Sequence, residues 1–233
     1  MPQLIDISSY FKQHLLPQNC LLCGETAADL ALCRRCHTDL PWHAAMACQV
    51  CALPNPGGEL CGACLKHPPA FDATRAILDF QFPVNALLRH YKYAGFLAIA
   101  EFMGTLLAER IRNEQQPDIV IPMPLHPSRL KERGFNQAVE IARVVCARTS
   151  VPLDLHACSR TRPTPPQAGL PLQARRKNLR GVFACNMDLS GKRIALVDDV
   201  MTTGASLDEL ARCIKGAGAA HVECWVAART LKD

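Results

Sequence analysis

The sequence predicts an α/β fold in which helices flank a parallel sheet, preceded by a small cysteine-rich module. Two observations support this prediction. Eight of the 13 cysteines fall between Cys20 and Cys64, and strand and helix patterns alternate through the rest of the chain. Alternation of strands with helices is typical of parallel sheets covered by helices. With 233 residues, 49% of them hydrophobic, the chain can bury one substantial core and carry a small appendage.

The cysteine-rich module contains an internal repeat. Each unit has the spacing C-x2-C-x9-C-x2-C, and the second unit follows the first by 28 residues. Two C-x2-C turns supply four thiolates, which complete a tetrahedron around zinc without an open position, so we expect two structural zinc ions. The pattern leaves open whether the ligands pair within each unit or across the two, although the repeat favours pairing within units. The expected ligands are Cys20, Cys23, Cys33, Cys36, Cys48, Cys51, Cys61 and Cys64.

Other cysteines and nearby histidines receive simpler interpretations. Five cysteines show no pairing pattern, and we expect them to be buried as small hydrophobic side chains. They are Cys146, Cys158, Cys185, Cys213 and Cys224. Three histidines lie near the zinc ligands, but four cysteines complete each site, so we expect these histidines at the surface. They are His37, His43 and His67.

A linker, "KHPPAFDAT" at 66–74, separates two predicted domains, 1–68 and 69–233. Hydrophobic patterns predict the elements on either side of it. The predicted strands are 74–82, 118–125, 153–158, 193–200 and 221–229. The predicted helices are 84–95, 96–113, 135–149 and 206–219, with a short amphipathic helix near the start that contains Leu4, Ile7, Tyr10 and Phe11.

Charge is unevenly distributed along the chain, which carries a net charge of +5. The stretch 155–187 contains no acidic residue, and one-sided charge favours a polyanionic partner, either a phosphorylated small molecule or nucleic acid. Its basic residues are Arg160, Arg162, Arg175, Arg176, Lys177 and Arg180. No apolar run approaches the length of a membrane span, and the start lacks the order of a secretory signal. We therefore expect a cytoplasmic protein without a membrane span.

The segment "IALVDDVMTTGAS" at 194–206 combines a buried strand, two acids and a small-residue loop. Asp198 and Asp199 are expected at the carboxyl end of the strand, where open α/β sheets bind ligands. The loop then leads into a helix, and Ser206 and Glu209 would form a capping box at its start. Backbone N–H groups and hydroxyls at such a helix start favour a phosphate, whereas carboxylates accept hydrogen bonds from sugar hydroxyls. A ribose 5-phosphate satisfies both requirements.

Other interpretations of this segment are weaker. The chain has no GKS or GKT sequence for a nucleoside triphosphate loop and no G-x-G-x-x-G for a dinucleotide. An acidic turn followed by an ordinary helix cap remains the alternative without a ligand.

Three motifs and the cysteine module together resemble a known family. "IALVDDVMTTGAS" is similar to the signature of type I phosphoribosyltransferases, which bind 5-phosphoribosyl-1-pyrophosphate. The segments "PMPLHPSRLKERGFNQA" at 122–138 and "QAGLPLQARRKNLRGVF" at 167–183 are similar to motifs of its ComF (GntX-like) branch, in which a double zinc ribbon precedes the transferase domain. The resemblance implies a type I phosphoribosyltransferase-like parallel sheet flanked by helices, and it covers essentially residues 20–230.

The resemblance also implies roles for individual residues. Asp198 and Asp199 would hold the ribose hydroxyls, and the end of the strand 118–125 would supply the pyrophosphate loop, which consists of Pro122, Met123, Pro124 and Leu125. The 5-phosphate would lie against Val200, Met201, Thr202, Thr203, Gly204, Ala205 and Ser206. Magnesium would be held largely by the substrate. Candidate contacts to pyrophosphate or acceptor are Lys92, Arg129, Lys131, Arg133, Asn136, Gln137, Arg175, Arg176 and Lys177.

Three functions are consistent with these features. The first is a phosphoribosyltransferase with an unidentified acceptor, linked to DNA uptake or nucleotide metabolism. The second is an accessory protein of competence that binds single-stranded DNA or a protein of the competence machinery. The third is a nucleotide sensor that keeps the binding site without turnover.

Overall fold

A computed structural model describes residues 18–27, 31–57, 59–94, 97–163 and 178–231 of the chain. The amphipathic helix predicted near the start lies outside the described residues. The cysteine-rich part contains a two-stranded antiparallel ribbon and two short helices. The ribbon strands are β1 (Gln18–Asn19) and β2 (Thr26–Ala27), and the helices are α1 (Arg34–Thr38) and α2 (Gly62–Lys66).

A four-stranded parallel sheet forms the centre of the rest of the chain. Its order is β3-β8-β7-β4, and every adjacent pair is parallel, as the alternation of strands and helices predicts. All four carboxyl ends therefore lie along one edge of the sheet. The strands are β3 (Ala73–Asp79), β4 (Ile119–Pro122), β7 (Arg193–Met201) and β8 (His221–Arg229).

Helices cover both faces of this sheet. Side chains of the central strands alternate between two cores, as period-2 geometry requires: Ala195 and Val197 join one cluster, and Ile194 and Leu196 join the other. The first face packs against α3 (Val84–Ala94), α4 (Leu97–Arg110) and α6 (Gln137–Thr149). The second face packs against α7 (Ala205–Gly216) and a hairpin of β5 (Cys158–Arg160) and β6 (Phe183–Cys185).

Two parts of the fold differ from the predicted elements. The strand predicted at 153–158 was wrong, because only an isolated bridge joins Leu153 to Val120 and β5 begins at Cys158. A short helix, α5 (Pro127–Arg133), was not predicted. Its start has a local cause: the His126 ring accepts a hydrogen bond from Ser128 N, and Pro127 occupies the first helical position, where its missing N–H is harmless.

The cysteine-rich part covers the free edge of β3. His43 N donates to Ile77 O at 2.9 Å, and Asp79 N donates to Pro41 O at 2.8 Å. Further along the strand, Thr74 donates from its backbone N to Gln49 O at 3.0 Å. Because edge strands expose unpaired N–H and C=O groups, this pairing satisfies the backbone of β3 and attaches the cysteine-rich part to the sheet.

The surface position expected for His43 was wrong. Its Nδ1 lies 2.7 Å from Asp79 Oδ1, and its side chain is only 7% exposed. His37 packs edge-on against Trp42 and Phe102, so it also takes part in the contact. The sequence shows both histidines beside the zinc ligands, but the burial of the His43 side chain depends on its contact with Asp79 of β3.

The burial expected for the five unpaired cysteines holds for three of them. Cys146, Cys158 and Cys224 are buried, whereas Cys185 and Cys213 are partly exposed. Cys185 lies opposite Cys158 in the β5–β6 hairpin, near the edge of the second core.

Among the described residues, no helix combines the length and apolar character needed to cross a bilayer.

Candidate ribose phosphate site and zinc centres

The acid pair lies at the carboxyl edge of the sheet, where β7 extends beyond its neighbour β4. Pairing with β4 ends at Val197, opposite Pro122, and β7 continues to Met201 paired with β8 alone. Asp198 and Asp199 lie in this extension, with Asp199 8% exposed and Asp198 partly exposed. The two acids therefore lie beyond the last residue of β7 that pairs with β4.

A lysine from the first face of the sheet neutralises part of this charge. Lys92 on α3 places its Nζ 2.7 Å from Asp199 Oδ2. Burial, together with the charge of Asp199, raises the pKa of Asp198 to about 8, and the attraction of Lys92 opposes that increase. Each acid also accepts one backbone hydrogen bond at 2.9 Å, Asp198 from Asp199 N and Asp199 from Val200 N.

The loop after the acids leads into α7, but the predicted cap is wrong. Gly204, rather than Ser206, is the N-cap; its φ of 81° is left-handed, and it has no side chain to form a cap hydrogen bond. Glu209, the other half of the predicted capping box, instead accepts a hydrogen bond from Gly181 N at 2.6 Å. A Cβ on Gly204 would lie 3.2 Å from the Met201 Cε, so both the backbone angle and the space favour glycine.

This loop has the features of an anion site. Thr202 and Thr203 are exposed, and Ser206 is partly exposed at the second helical position. The first amides of α7 have no partner within the helix, and its dipole favours negative charge at this end. The loop and the acid pair are consecutive in the chain, so a phosphate and a sugar can be bound side by side.

The predicted pyrophosphate loop is adjacent to the acid pair. Met123 N donates to Val197 O at 2.8 Å, which places 122–125 directly beside the residue before Asp198. Asn136 stabilises this turn: its amide Nδ2 donates to Met123 O at 3.0 Å, and its Oδ1 accepts from Ala138 N to cap α6. Asn136 therefore connects the turn at 122–125 to the start of α6.

The other candidate contacts have varied surroundings. Arg129 is paired with Glu132 at 2.7 Å, and Arg133 donates to the side chain of the buried Gln137 at 3.2 Å. Lys131 is exposed on α5. Arg175, Arg176 and Lys177 lie outside the described residues.

One residue at the site was not predicted. Arg229, the last residue of β8, is 2% exposed. It donates to the carbonyls of Met201 and Thr202 in the loop, and its Nε donates to Cys51 O at 2.8 Å. A basic residue at the carboxyl end of the predicted strand 221–229 was the available signal, but its partners Met201, Thr202 and Cys51 are far away in sequence.

The two groups of cysteines form separate four-sulfur sites, which shows that the ligands pair within each repeat unit. In each group all four Sγ atoms lie within 4.8 Å of one another. The distances Cys23 Sγ–Cys33 Sγ and Cys51 Sγ–Cys61 Sγ are 3.6 and 3.7 Å. A tetrahedron with Zn–S bonds of about 2.3 Å has edges of about 3.8 Å, so both sites fit zinc.

The repeat extends to the backbone of the C-x2-C turns. Gly24 and Ala52 occupy equivalent positions after the turns and have left-handed φ values of 77° and 53°. Their N–H groups donate to Cys20 O and Cys48 O at 2.9 and 2.8 Å. Burial raises the pKa of these two thiols, but backbone N–H donors outweigh it and lower the pKa to about 6 for Cys20 and about 7 for Cys48. These backbone donors therefore favour a thiolate, the form that binds zinc, at the first cysteine of each unit, whereas the pKa values of Cys23 and Cys51 in the same turns are raised.

Comparisons with known families agree with this geometry. Residues 11–65 match a family described as "Double zinc ribbon domain". Residues 97–233, more than half of the chain, match one described as "Phosphoribosyl transferase domain".

Curated relatives match most of the length of the chain. "DNA utilization protein YhgH" of Escherichia coli O157:H7 is 34% identical over 191 residues, covering 79% of this chain and 84% of the relative. "Competence protein F" of Haemophilus influenzae is 27% identical and covers 90% of each chain. "Competence protein ComFC" of Bacillus subtilis is 24% identical, covering 82% of this chain and 81% of the relative.

The chain belongs to the ComF family of phosphoribosyltransferase-type proteins. As a ComF protein it has the fold expected from the sequence, a parallel sheet with flanking helices behind an N-terminal double zinc ribbon. Among solved structures, a purine phosphoribosyltransferase from Pyrococcus horikoshii is 20% identical with a TM-score of 0.37, covering 57% of this chain and 83% of that chain.

The raised pKa of Asp198 gives a prediction about stability. An aspartate in an unfolded chain loses its proton near pH 3.9, whereas Asp198 in the folded protein keeps its proton up to a pH of about 8. The stabilisation from Asp198 is present at low pH and lost as the pH rises through about 8. Asp198→Asn removes this loss, so thermal unfolding should show a larger gain in melting temperature at pH 9 than at pH 6.

A matched control is Asp188→Asn. Asp188 is an exposed acid whose pKa is lowered by hydrogen bonds from Ser190, so its removal should give no such gain. An equal gain in melting temperature for Asp198→Asn at pH 6 and pH 9 would contradict the raised pKa of Asp198.

Zinc removal gives a second prediction. Cys20, Leu32 and Leu40 share the core cluster that covers the first face of the sheet. We therefore expect chelation to lower the melting temperature of the whole protein, measured by calorimetry, rather than to unfold the ribbon alone. An unchanged main transition in metal-free protein would contradict this.

Proposed function

We propose that this protein binds 5-phosphoribosyl-1-pyrophosphate with magnesium and transfers its phosphoribosyl group to an acceptor. The observation that supports this most strongly is the placement of two carboxylates, Asp198 and Asp199, directly before a phosphate-type loop that begins α7. The family assignment supports the same ligand class. The acceptor remains to be found.

The ligand's sugar matches the acid pair. The 2- and 3-hydroxyls of the ribose would donate hydrogen bonds to Asp198 and Asp199, which now have Lys92 as their cationic partner. The 5-phosphate would accept from the amides and hydroxyls of Thr202 to Ser206. Each group of the ligand thus meets the residue chemistry it requires.

The same residues fit magnesium. This ion takes hard oxygen ligands, and one or two carboxylates with several ligand or water oxygens are its usual environment. Asp198 and Asp199 could supply the protein part, with the diphosphate and ribose oxygens completing the set. When bound, magnesium would neutralise charge on the diphosphate.

The reaction proposed is a displacement at C1 of the ribose. The bond from C1 to the pyrophosphate oxygen breaks with its electron pair leaving on pyrophosphate, while a nucleophilic atom of the acceptor forms a new bond to C1. The protein's share is positioning and electrostatics. The turn at 122–125 would receive the pyrophosphate, with Arg129, Lys131 and Arg133 as nearby cations on α5.

The compartment follows from the zinc sites. Eight reduced cysteines persist in a reducing environment, so we propose that the protein acts in the cytoplasm.

A prediction tests the ribose contacts. Asp198→Asn with Asp199→Asn should weaken binding of 5-phosphoribosyl-1-pyrophosphate by about 100-fold or more, because each change replaces a carboxyl oxygen that would accept from a ribose hydroxyl with an amide NH₂ group. Isothermal titration in the presence of magnesium measures this, with Asp188→Asn as the control. Binding by the double variant as tight as by the parent would refute the proposed function, and pyrophosphate release over a panel of bases and amines would identify the acceptor.

A second candidate function is the handling of single-stranded DNA. Relatives carry the names "DNA utilization protein" and "Competence protein", and the described part of the basic stretch contributes Arg162 and Arg180, both exposed. They are neighbours in space, since Arg162 donates to Arg180 O at 2.5 Å. Paired exposed arginines of this kind suit a phosphate backbone.

The DNA hypothesis has its own prediction. Arg162→Ala with Arg180→Ala should weaken binding to single-stranded DNA at every sequence and flatten its dependence on log salt by about 0.7 for each lost phosphate contact. Fluorescence anisotropy at several salt concentrations measures the slope. The arginine control is Arg110→Ala on α4, which pairs with Glu114, and an unchanged slope in the double variant would rule out these contacts.

A further inference from the structure

We propose that Arg229 couples the second zinc site to the phosphate loop, so that loss of zinc at that site weakens binding of a ribose phosphate. The second zinc site is the group Cys48, Cys51, Cys61 and Cys64, and the phosphate loop is Met201 to Ser206. This coupling is a regulation of the proposed site and therefore rests on the proposed function. Arg229 acts here as a positioning residue.

On the side of the phosphate loop, the guanidinium of Arg229 forms hydrogen bonds with the backbone. Nη1 of Arg229 donates to Met201 O at 2.9 Å, to Thr202 O, and to Thr230 O at 2.8 Å. Two of these bonds engage backbone carbonyl oxygens of the phosphate loop itself. Because they fix the backbone at the start of the loop, they also constrain the N–H groups that a phosphate would use.

On the zinc side, the same guanidinium reaches a ligand's peptide. Nε of Arg229 donates to Cys51 O at 2.8 Å, within the C-x2-C turn that begins at Cys48. The same turn is attached to the adjacent strand β3, because Thr74 Oγ1 donates to Val50 O at 2.6 Å. One residue therefore bonds to a zinc-binding turn and to the phosphate loop at once.

Charge strengthens the link. The acceptors of Arg229 named above are carbonyl oxygens rather than carboxylates, yet a buried arginine needs a counter-charge. Four thiolates around one zinc ion carry a net charge of −2, and this group lies beside the guanidinium. Burial lowers the pKa of Arg229, and the nearby Cys51, Cys64 and Cys61 oppose that effect.

A pocket adjoins the link between the second zinc site and the phosphate loop. A cavity of about 150 Å³ lies between the zinc site and the loop, with Cys51, Cys64, Thr203 and Gly204 among its walls and Arg229 crossing from one to the other. If the zinc-binding turn relaxes, the cavity allows the arginine and the loop to shift with it.

The first zinc site has different surroundings and serves as an internal comparison. Cys20 and Cys33 belong to the core cluster on the first face of the sheet, and His37 beside them packs against Phe102. Its contacts are therefore with α4 and the apolar core rather than with the phosphate loop. Loss of zinc from the two sites should have different effects on the ligand.

The first test uses Arg229→Met, with Arg229→Lys as the conservative variant and Arg110→Met as the control. Ribose 5-phosphate and magnesium pyrophosphate are titrated separately. We expect Arg229→Met to weaken ribose 5-phosphate binding by about tenfold or more and to leave pyrophosphate binding unchanged, with Arg229→Lys intermediate. A merely structural role would weaken both ligands together.

The second test compares matched ligands of the two zinc sites. Cys61→Ser and Cys33→Ser each change the N-cap of a short helix and should each leave one zinc per chain, measured by elemental analysis. We expect Cys61→Ser to weaken ribose 5-phosphate binding more than Cys33→Ser does. This comparison decides the question even if Arg229→Met does not fold.

Hydrogen exchange separates this inference from the proposed function. Without any ligand, the amides of 202–206 should exchange faster in Arg229→Met and in Cys61→Ser than in the parent and in Cys33→Ser. If the parent binds neither ligand, the proposed function fails, while faster exchange at the loop still supports the coupling. Equal exchange in all four proteins, or equal loss of binding from the two cysteine variants, would overturn it.

Discussion

The free edge of β3 is the constraint on which the arrangement of this protein depends. A parallel sheet must cover its faces and satisfy the backbone groups of its outer strands. Here the segment between the two zinc sites pairs with β3, and the buried His43–Asp79 contact secures one end of it. The cysteine-rich part has only very short strands and helices, so zinc binding takes the place of a core of its own. This part of the chain in turn covers the outer edge of the sheet.

The two zinc units are alike in sequence but unequal in role. The first extends the apolar core above α4, whereas the second lies at the carboxyl edge of the sheet beside the loop that precedes α7. An internal repeat therefore produces two different neighbourhoods, because each unit meets a different part of the same sheet. Of the two units, the second is the one that contacts the proposed phosphate loop through Arg229.

The acid pair is placed where it destabilises the unliganded protein. Two neighbouring carboxylates at a sheet edge repel one another, and a single lysine, Lys92, offsets only part of that repulsion. Local conflicts of this kind are typical of functional sites, where the missing interaction is supplied by a ligand.

The sequence by itself determined the fold class, the cysteine repeat and the run from Asp198 to Ser206, because each depends on patterns within short stretches of chain. It misplaced the cap of α7, since the choice of Gly204 over Ser206 depends on a backbone angle and on space beside Met201. Tertiary structure alone decided that ligands pair within each zinc unit, that Lys92 reaches Asp199, and that Arg229 joins Cys51 to the phosphate loop. These contacts join residues far apart in the chain, and no local pattern encodes a distance in space.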